Sequence, residues 1–223
     1  MSVKFILASS SPRRREILEN LGFDFEIITS NAEENADISG LSPEKAVQEL
    51  ASVKGRSIAK RLNYDREHTY LVISADTVVV RDGKILGKPK DREEARKMLK
   101  RLSGKKHSVI TGLCIWKVGG SWTSKGCTIA DKTDVYFKTL SDEMIEAYLD
   151  TGEYADKAGA YGIQGKGACL VEKIKGDYFN VVGFPLNAFY ELLTKEQCVD
   201  LFHPGCSSLW AQRGGSKYGY KRN

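Results

Sequence analysis

The run Leu71-Val72-Ile73-Ser74-Ala75-Asp76-Thr77-Val78-Val79-Val80 constrains the fold of this chain more than any other stretch. It is β-branched and almost continuously apolar, the pattern of a strand buried on both faces in the middle of a sheet. Asp76 and Thr77 interrupt it. An unpaired carboxylate in such a place would be expensive, so Asp76 must be hydrogen-bonded to nearby amides, paired with a cation or bound to a metal. Read as a strand-end carboxylate it is a natural metal ligand. Mg²⁺ asks for no more than one or two protein carboxylates beside phosphate oxygens and water.

Strands and helices alternate around this run. Val3 to Ala8 reads as a buried strand, and Ser9-Ser10-Ser11-Pro12 supplies an N-cap and a first-turn proline for a helix to about Leu21. Phe25 to Thr29 is a short strand, followed by a polar loop holding Glu33 and Glu34. Ser42-Pro43 starts a helix to about Arg61 that carries Lys54, with Ala46, Val47, Leu50 and Val53 on one face. Asp82-Gly83 is a hairpin signal, after which Ile85 to Pro89 pairs back. Asp91 caps a helix to Leu102. Val109 to Trp116 and Thr128 to Phe137 read as long antiparallel strands around Gly119-Gly120, and Ser141 to Asp150 as a capped helix. A glycine-rich stretch from Lys157 to Gly167 precedes a strand from Cys169 to Ile174 and a last helix from Pro185 to about Leu193.

The 223 residues, 41% hydrophobic and 28% charged, suit one large core or two small lobes of a globular protein. A net charge of +5 spread over the whole surface points only weakly to an anionic partner. Cys114, Cys127, Cys169, Cys198 and Cys206 form no Cys-x-x-Cys pair, and their odd number argues for free thiols in a reducing compartment, so a cytoplasmic protein is expected. No stretch approaches the ~20 apolar residues of a membrane span. Residues 1–194 are expected to form one domain, and 195–223, basic and without periodicity, a poorly ordered tail. His203 and Cys206 in that tail fall short of a metal site.

The segments that carry chemistry are few. Ser9-Ser10-Ser11-Pro12-Arg13-Arg14-Arg15 places hydroxyls, backbone N–H groups and up to three guanidiniums around one helix N-terminus, where the macrodipole favours negative charge. Arginines oppose that dipole unless an anion offsets them; a capped helix with solvated arginines is the plainer alternative. Gly87-Lys88-Pro89 projects a lysine where a hairpin strand stops. Lys157 to Gly167 holds four glycines in eleven residues, which suits a loop that lets a ligand approach its backbone. Gln164 lies inside it. A primary amide both donates and accepts, so Gln164 either matches the O4 acceptor and N3–H donor of uracil or thymine or stabilises the turn. Glu33 and Glu34 either add a carboxylate to an ion at Asp76 or are a solvated acidic pair.

In order along the chain, LASSSPRRREIL, the Glu33-Glu34 loop, SADTVV, GKP, LSGKKHSVITG and DKAGAYGIQGKG resemble the motifs of the Maf family of nucleotide pyrophosphatases, over residues 3 to about 193. Each motif alone is weak, and their order and spacing carry the resemblance. It implies an α/β fold, an elongated mixed sheet with flanking helices in two lobes around a central cleft, related to the inosine triphosphate pyrophosphatases. It implies hydrolysis of a nucleoside triphosphate to the monophosphate and diphosphate, with Asp76 matching the catalytic carboxylate. Arg13, Thr77 and Gln164 match the positions that mark the branch acting on dTTP and UTP rather than on 7-methyl-GTP. Ser9, Arg14, Lys54, Lys88 and Lys157 match further substrate-pocket positions. The implied cofactor is a divalent cation, Mg²⁺ or Mn²⁺, at Asp76, with Glu34 preferred over Glu33 as a second acid. The implied partner is the small-molecule nucleotide, with no nucleic acid and no membrane, and a homodimer is left open.

Two other readings compete. One is the same chemistry on 7-methyl-GTP or another purine nucleotide, and the other a non-enzymatic nucleic-acid or cell-division protein. Aromatic residues do not interleave with the basic runs as a single-strand binding surface requires, which disfavours the second.

Overall fold

A computed structural model of the chain describes residues 2–29, 36–63, 67–119 and 122–195. β1 (Ser2–Leu7) leads through α1 (Pro12–Asn20) to β2 (Phe25–Ile27), and α2 (Pro43–Ala59) crosses back to β3 (His68–Arg81). β4 (Lys84–Leu86), α3 (Arg92–Leu102), β5 (Lys106–Gly119), β6 (Trp122–Phe137) and α4 (Asp142–Leu149) follow. Two 3₁₀ turns, Ala158–Ala160 and Gly165–Leu170, then precede β7 (Val171–Lys175), α5 (Tyr178–Val182) and α6 (Leu186–Lys195). The seven strands form one mixed sheet in the order β2-β1-β3-β5-β6-β7, with β4 on β3 outside that path. β2, β1 and β3 are parallel, which is why helices connect them, while β3, β5, β6 and β7 are antiparallel.

β3 is the central strand that its composition demands. Leu71, Ile73 and Ala75 pack with Ile17 and Leu18 of α1 and Phe189 and Leu193 of α6. Val72 packs with Ile58 and Ala59 at the end of α2, and Val78 with Val47 nearer its start. Helices therefore cover both faces, and the mixed sheet with flanking helices expected for an α/β fold is present.

One edge of β3 is broken. β1 pairs with it as far as Leu7 opposite Ile73, and pairing with β4 resumes only at Val79, opposite Leu86. On the other edge β5 runs without a break from Thr69 to Val80. Residues 74–78 therefore have no strand neighbour on the first edge among the described residues, and Asp76 and Thr77 sit in the middle of that gap. This corrects the strand-end reading of Asp76. The carboxylate lies mid-strand, and what ends beside it is the neighbouring strand.

Two buried clusters flank the gap. One joins β1, α1 and α6 to the middle of β3 and β5. The other joins Val79, Leu99, Leu102, Phe137, Leu149 and Tyr161, from the far ends of the long strands and from α3, α4 and the glycine-rich stretch.

The expected helix starts are found with their caps: Ser42 accepts from the Lys45 amide at 3.3 Å, Asp91 from Glu94 at 2.7 Å and Ser141 from Met144 at 3.2 Å. Ser11 is the exception, since its side chain makes no capping bond. α5 was not foreseen, because five residues show no periodicity; Asp177, which accepts from the Phe179 amide at 2.8 Å, starts it, and Gly183 at φ 111° ends it. Cys169 and Leu170 belong to a 3₁₀ turn rather than to the strand expected from Cys169. Glu33, Glu34, His203, Cys206 and the tail from residue 196 lie outside the described residues.

Candidate active site

The gap in β3 opens into a cleft of about 650 Å³, a size suited to one small ligand. Its lining includes Ser9, Arg13, Arg14, Lys54, Asp76, Thr77, Lys88, Lys157 and Gln164. Every described residue that the family resemblance assigns to catalysis or substrate binding thus lines one cleft. Val79 and Tyr161 of one core and Val182 of the other also line it, so the cleft lies between the two cores.

Successive residues of a strand point to opposite faces, and this sends Asp76 and Thr77 to different partners. Asp76 Oδ1 lies 2.6 Å from Lys54 Nζ on α2, with the two side chains 19% and 13% exposed. Pairing with a cation, one of the states open to Asp76, is thus present. Thr77 Oγ1 accepts from Arg14 Nη2 at 3.2 Å and lies 3.0 Å from Thr111 Oγ1, which in turn donates to the Asn180 carbonyl at 3.1 Å.

Arg14 is fixed from three sides. Besides Thr77, its Nε donates to the Gly183 carbonyl at 2.9 Å and its Nη1 to Ser9 Oγ at 3.0 Å. Ser9 Oγ also accepts from the Ser11 amide at 3.2 Å, so the serine run folds back on itself rather than capping α1. The first-turn amides of α1 consequently receive no bond from the Ser11 side chain and border the cleft. Arg13 reaches Asp156 at 3.7 Å. Arg15 does not join the cradle: it is exposed and pairs with Glu19 at 2.8 Å, one helical turn on. The anion cradle has two guanidiniums, not three.

Across the cleft, Lys88 is exposed and forms no ion pair with a described residue. The Gly87 carbonyl accepts from the Gly159 amide at 3.0 Å, which ties the Lys88 segment to the glycine-rich stretch. Lys157 Nζ donates to Asp156 Oδ1 at 2.6 Å and also to the Glu153 carbonyl. Burial disfavours charge on Asp156, but the hydrogen bond and charge of Lys157, with Arg13 beyond, hold its carboxyl below the ordinary range. Gln164 is exposed, lines the cleft and makes no side-chain hydrogen bond to the turn that follows it. Its alternative role as a turn stabiliser is therefore not what the geometry displays. The cleft sets five cations, Arg13, Arg14, Lys54, Lys88 and Lys157, against two carboxylates, Asp76 and Asp156.

The family model for Maf-like protein matches residues 4–196. The chain belongs to this family. As a Maf-like protein it is 50% identical over 194 residues to a protein of Thermoanaerobacter sp. (strain X514) named dTTP/UTP pyrophosphatase, covering 87% of this chain and 97% of that one. A protein of the same name from Clostridioides difficile (strain 630) is 49% identical over 201 residues, 90% of this chain and 99% of its own. Another from Pyrococcus furiosus is 50% identical over 190 residues, 85% and 94% of the two chains. Among solved structures, the Staphylococcus aureus Ham1 protein aligns over 86% of this chain and 99% of its own, with 13% identity and a TM-score of 0.41.

Among the described residues of this Maf-like chain, no group of three or more His, Cys, Asp or Glu side chains is placed to hold a metal ion. Asp76 still fits a divalent cation that arrives with phosphate oxygens, because one protein carboxylate is enough for such an ion and no described residue donates to its Oδ2. Sequence reasoning missed Asp156, Thr111 and Gly183. Asp156 carried a signal, as the residue directly before Lys157. Nothing local marks Thr111 or the Gly183 carbonyl, whose partners lie 34 and 169 residues away.

Proposed function

We propose that this chain hydrolyses dTTP and UTP to the nucleoside monophosphate and diphosphate by attack of water on the α-phosphorus. The observation that carries the proposal is the meeting of Asp76, Lys54 and the Arg13-Arg14 cradle at the gap in β3, in a chain half identical to proteins named for that activity. Ser9, Arg13, Arg14, Lys54, Lys88 and Lys157 bind the triphosphate, and Arg14 does so from a position set before the ligand arrives. Phosphoryl transfer depends mainly on positioning and on stabilising charge on the phosphate oxygens, which fixed cations supply without a covalent intermediate. A Mg²⁺ or Mn²⁺ ion held by Asp76, with Glu34 as the second acid, would lower the pKa of a water and neutralise phosphate charge. Asp76 accepts the proton of the attacking water. Gln164 pairs with the base edge, and Thr77 fixes Arg14 where a pyrimidine nucleotide presents its phosphates.

The nucleotide is the partner this reading needs, and a single cleft of about 650 Å³ suits it better than a nucleic-acid track. Cytoplasmic location belongs to the same reading. It is supported by the free thiols of Cys114, Cys127 and Cys169, and no helix of the described residues is long and apolar enough to cross a membrane.

A panel of dTTP, UTP, CTP, GTP, ATP and 7-methyl-GTP, assayed for pyrophosphate release with Mg²⁺ or Mn²⁺ and with EDTA, tests it. The expected result is saturable release from dTTP and UTP, at least ~10-fold above the purine nucleotides and abolished by EDTA. Preference for 7-methyl-GTP would overturn the substrate, and no release from any of them would overturn the reaction.

A further inference from the structure

Glu153 follows α4 in the turn that leads to the glycine-rich stretch, and it is half-buried there. Its carboxylate accepts two consecutive backbone amides: Oε1 from Lys166 at 3.1 Å and Oε2 from Gly167 at 3.2 Å. These are amides of the 3₁₀ turn Gly165–Leu170, whose N-cap position is Gln164 and whose N-cap side chain makes no bond to it. A carboxylate 13 and 14 residues away thus does the capping that Gln164 leaves undone.

The backbone is shaped to admit that carboxylate. Gly165 is left-handed at φ 66°, and a Cβ on it would lie 2.9 Å from Oε1 and 3.1 Å from Oε2. Gly167 closes the loop on itself, since its Cβ would meet the Gly162 carbonyl oxygen at 2.2 Å. Glu153 is itself held: its amide donates to Thr151 Oγ1 at 3.1 Å, and Thr151 Oγ1 donates to the Tyr148 carbonyl at 2.7 Å. The Tyr148 hydroxyl accepts from the Gly162 amide at 3.3 Å, so one end of the 162–167 loop rests on α4 and the other on the turn that follows it.

From this we propose that Glu153 is the positioning residue for base selection: by clamping the turn after Gln164 it holds the Gln164 amide at the cleft wall without touching substrate. The proposal rests on the pyrimidine reading of the cleft and deepens it. Both carboxylate oxygens are needed. A glutamine would keep one acceptor but present an NH₂ group to the second amide, where donor faces donor.

The experiment combines kinetics with amide hydrogen exchange on the full chain. Glu153→Ala is expected to lower kcat/KM for UTP about tenfold while changing that for GTP little, which collapses the UTP-to-GTP ratio, and Glu153→Gln is expected to fall between. In the double variant with Gln164→Ala, Glu153→Ala is expected to add almost nothing, because both act through one contact. Equal loss on UTP and GTP, or losses that multiply in the double variant, would overturn the role in base selection. Exchange at both the Lys166 and Gly167 amides is expected to accelerate at least tenfold in Glu153→Ala, and at one of the two in Glu153→Gln, with Arg13 and Arg14 amides unchanged. Unchanged exchange at those two amides would overturn the clamp whatever the substrate. A wild-type chain with no pyrimidine preference would instead bring down the substrate reading, and the exchange result would still decide the clamp.

Discussion

Asp76 was legible because it is a charge in a run that otherwise avoids charge, and its partner was not, because Lys54 lies 22 residues away on another element. The pairing at 2.6 Å offsets the charge of a carboxylate at the middle of the sheet, and it leaves Oδ2 for the chemistry. Asp76→Asn removes the proton acceptor and the charge but keeps an oxygen that can accept from Lys54. Turnover of UTP is therefore expected to fall by ~10³-fold or more, while the melting temperature moves by less than about 5 °C. Activity within several-fold of the unsubstituted chain would remove Asp76 from the reaction. Arg14 teaches the converse lesson. Its place in a serine–proline–arginine run suggested phosphate binding, but that run gives no hint of its bonds to Thr77 and Gly183, which come from β3 and the end of α5.

At the scale of elements, the site depends on how closely α2 approaches the sheet. Gly112 of β5 lies opposite Asp76, and a Cβ there would meet the Val47 carbonyl oxygen at 2.2 Å. Gly55 plays the matching part on the helix, where a Cβ would lie 2.6 Å from Ser74 Oγ and from Trp116 Cδ1. Two absent side chains thus let α2 lie close enough for Lys54 to reach Asp76. Gly112→Ala must push backbone, not the tip of a flexible side chain, and overpacking of this kind costs about 1–3 kcal/mol. The melting temperature is expected to drop by roughly 5 °C. The loss of kcat for UTP is expected to exceed what that destabilisation explains at 25 °C, since the Lys54 ammonium moves with the helix. Full activity in a destabilised Gly112→Ala chain would show that the approach of α2 matters for folding alone. The elements themselves were largely readable from caps, periodicity and β-branched runs. The glycine contacts were not, because nothing in Ile-Thr-Gly says that a helix crosses there.

At the scale of the whole molecule, the strand order could not be read from the chain, and with it the gap that makes the site. That gap exists because β1 stops at Leu7 and the antiparallel β4 ends at Leu86, two elements far apart in the chain that share one edge of β3. The same long strands run through both cores, so the cores are expected to lose stability together. His107 gives a way to measure this. It lies 2% exposed on β5 in the core beside α3 and α4, edge-to-face with Phe137 and Tyr161, with Nε2 2.7 Å from the Tyr161 hydroxyl and Nδ1 buried without a partner among the described residues. Burial first, and the charge of Arg81 second, push the ring down to about 4 from 6.5. The unfolded chain therefore binds a proton that the folded chain refuses between those values, and stability falls as pH falls through that window. This one ring is worth about 2 kcal/mol between pH 7 and pH 4.5, present in full above the unfolded value and lost toward the folded one. Asp134, whose carboxyl is held low by Ser108 and Lys106 against its burial, adds to the loss only at lower pH, and Asp131, raised by burial, works in the opposite direction near the carboxylate range. Urea midpoints measured from pH 7.5 to 4.5 are expected to decline in the unsubstituted chain and to flatten in His107→Gln, which cannot titrate but can still bond Tyr161. If the two chains lose stability in parallel, some other group carries the acid sensitivity. If only part of the unfolding signal shifts with pH, the cores do not unfold as one.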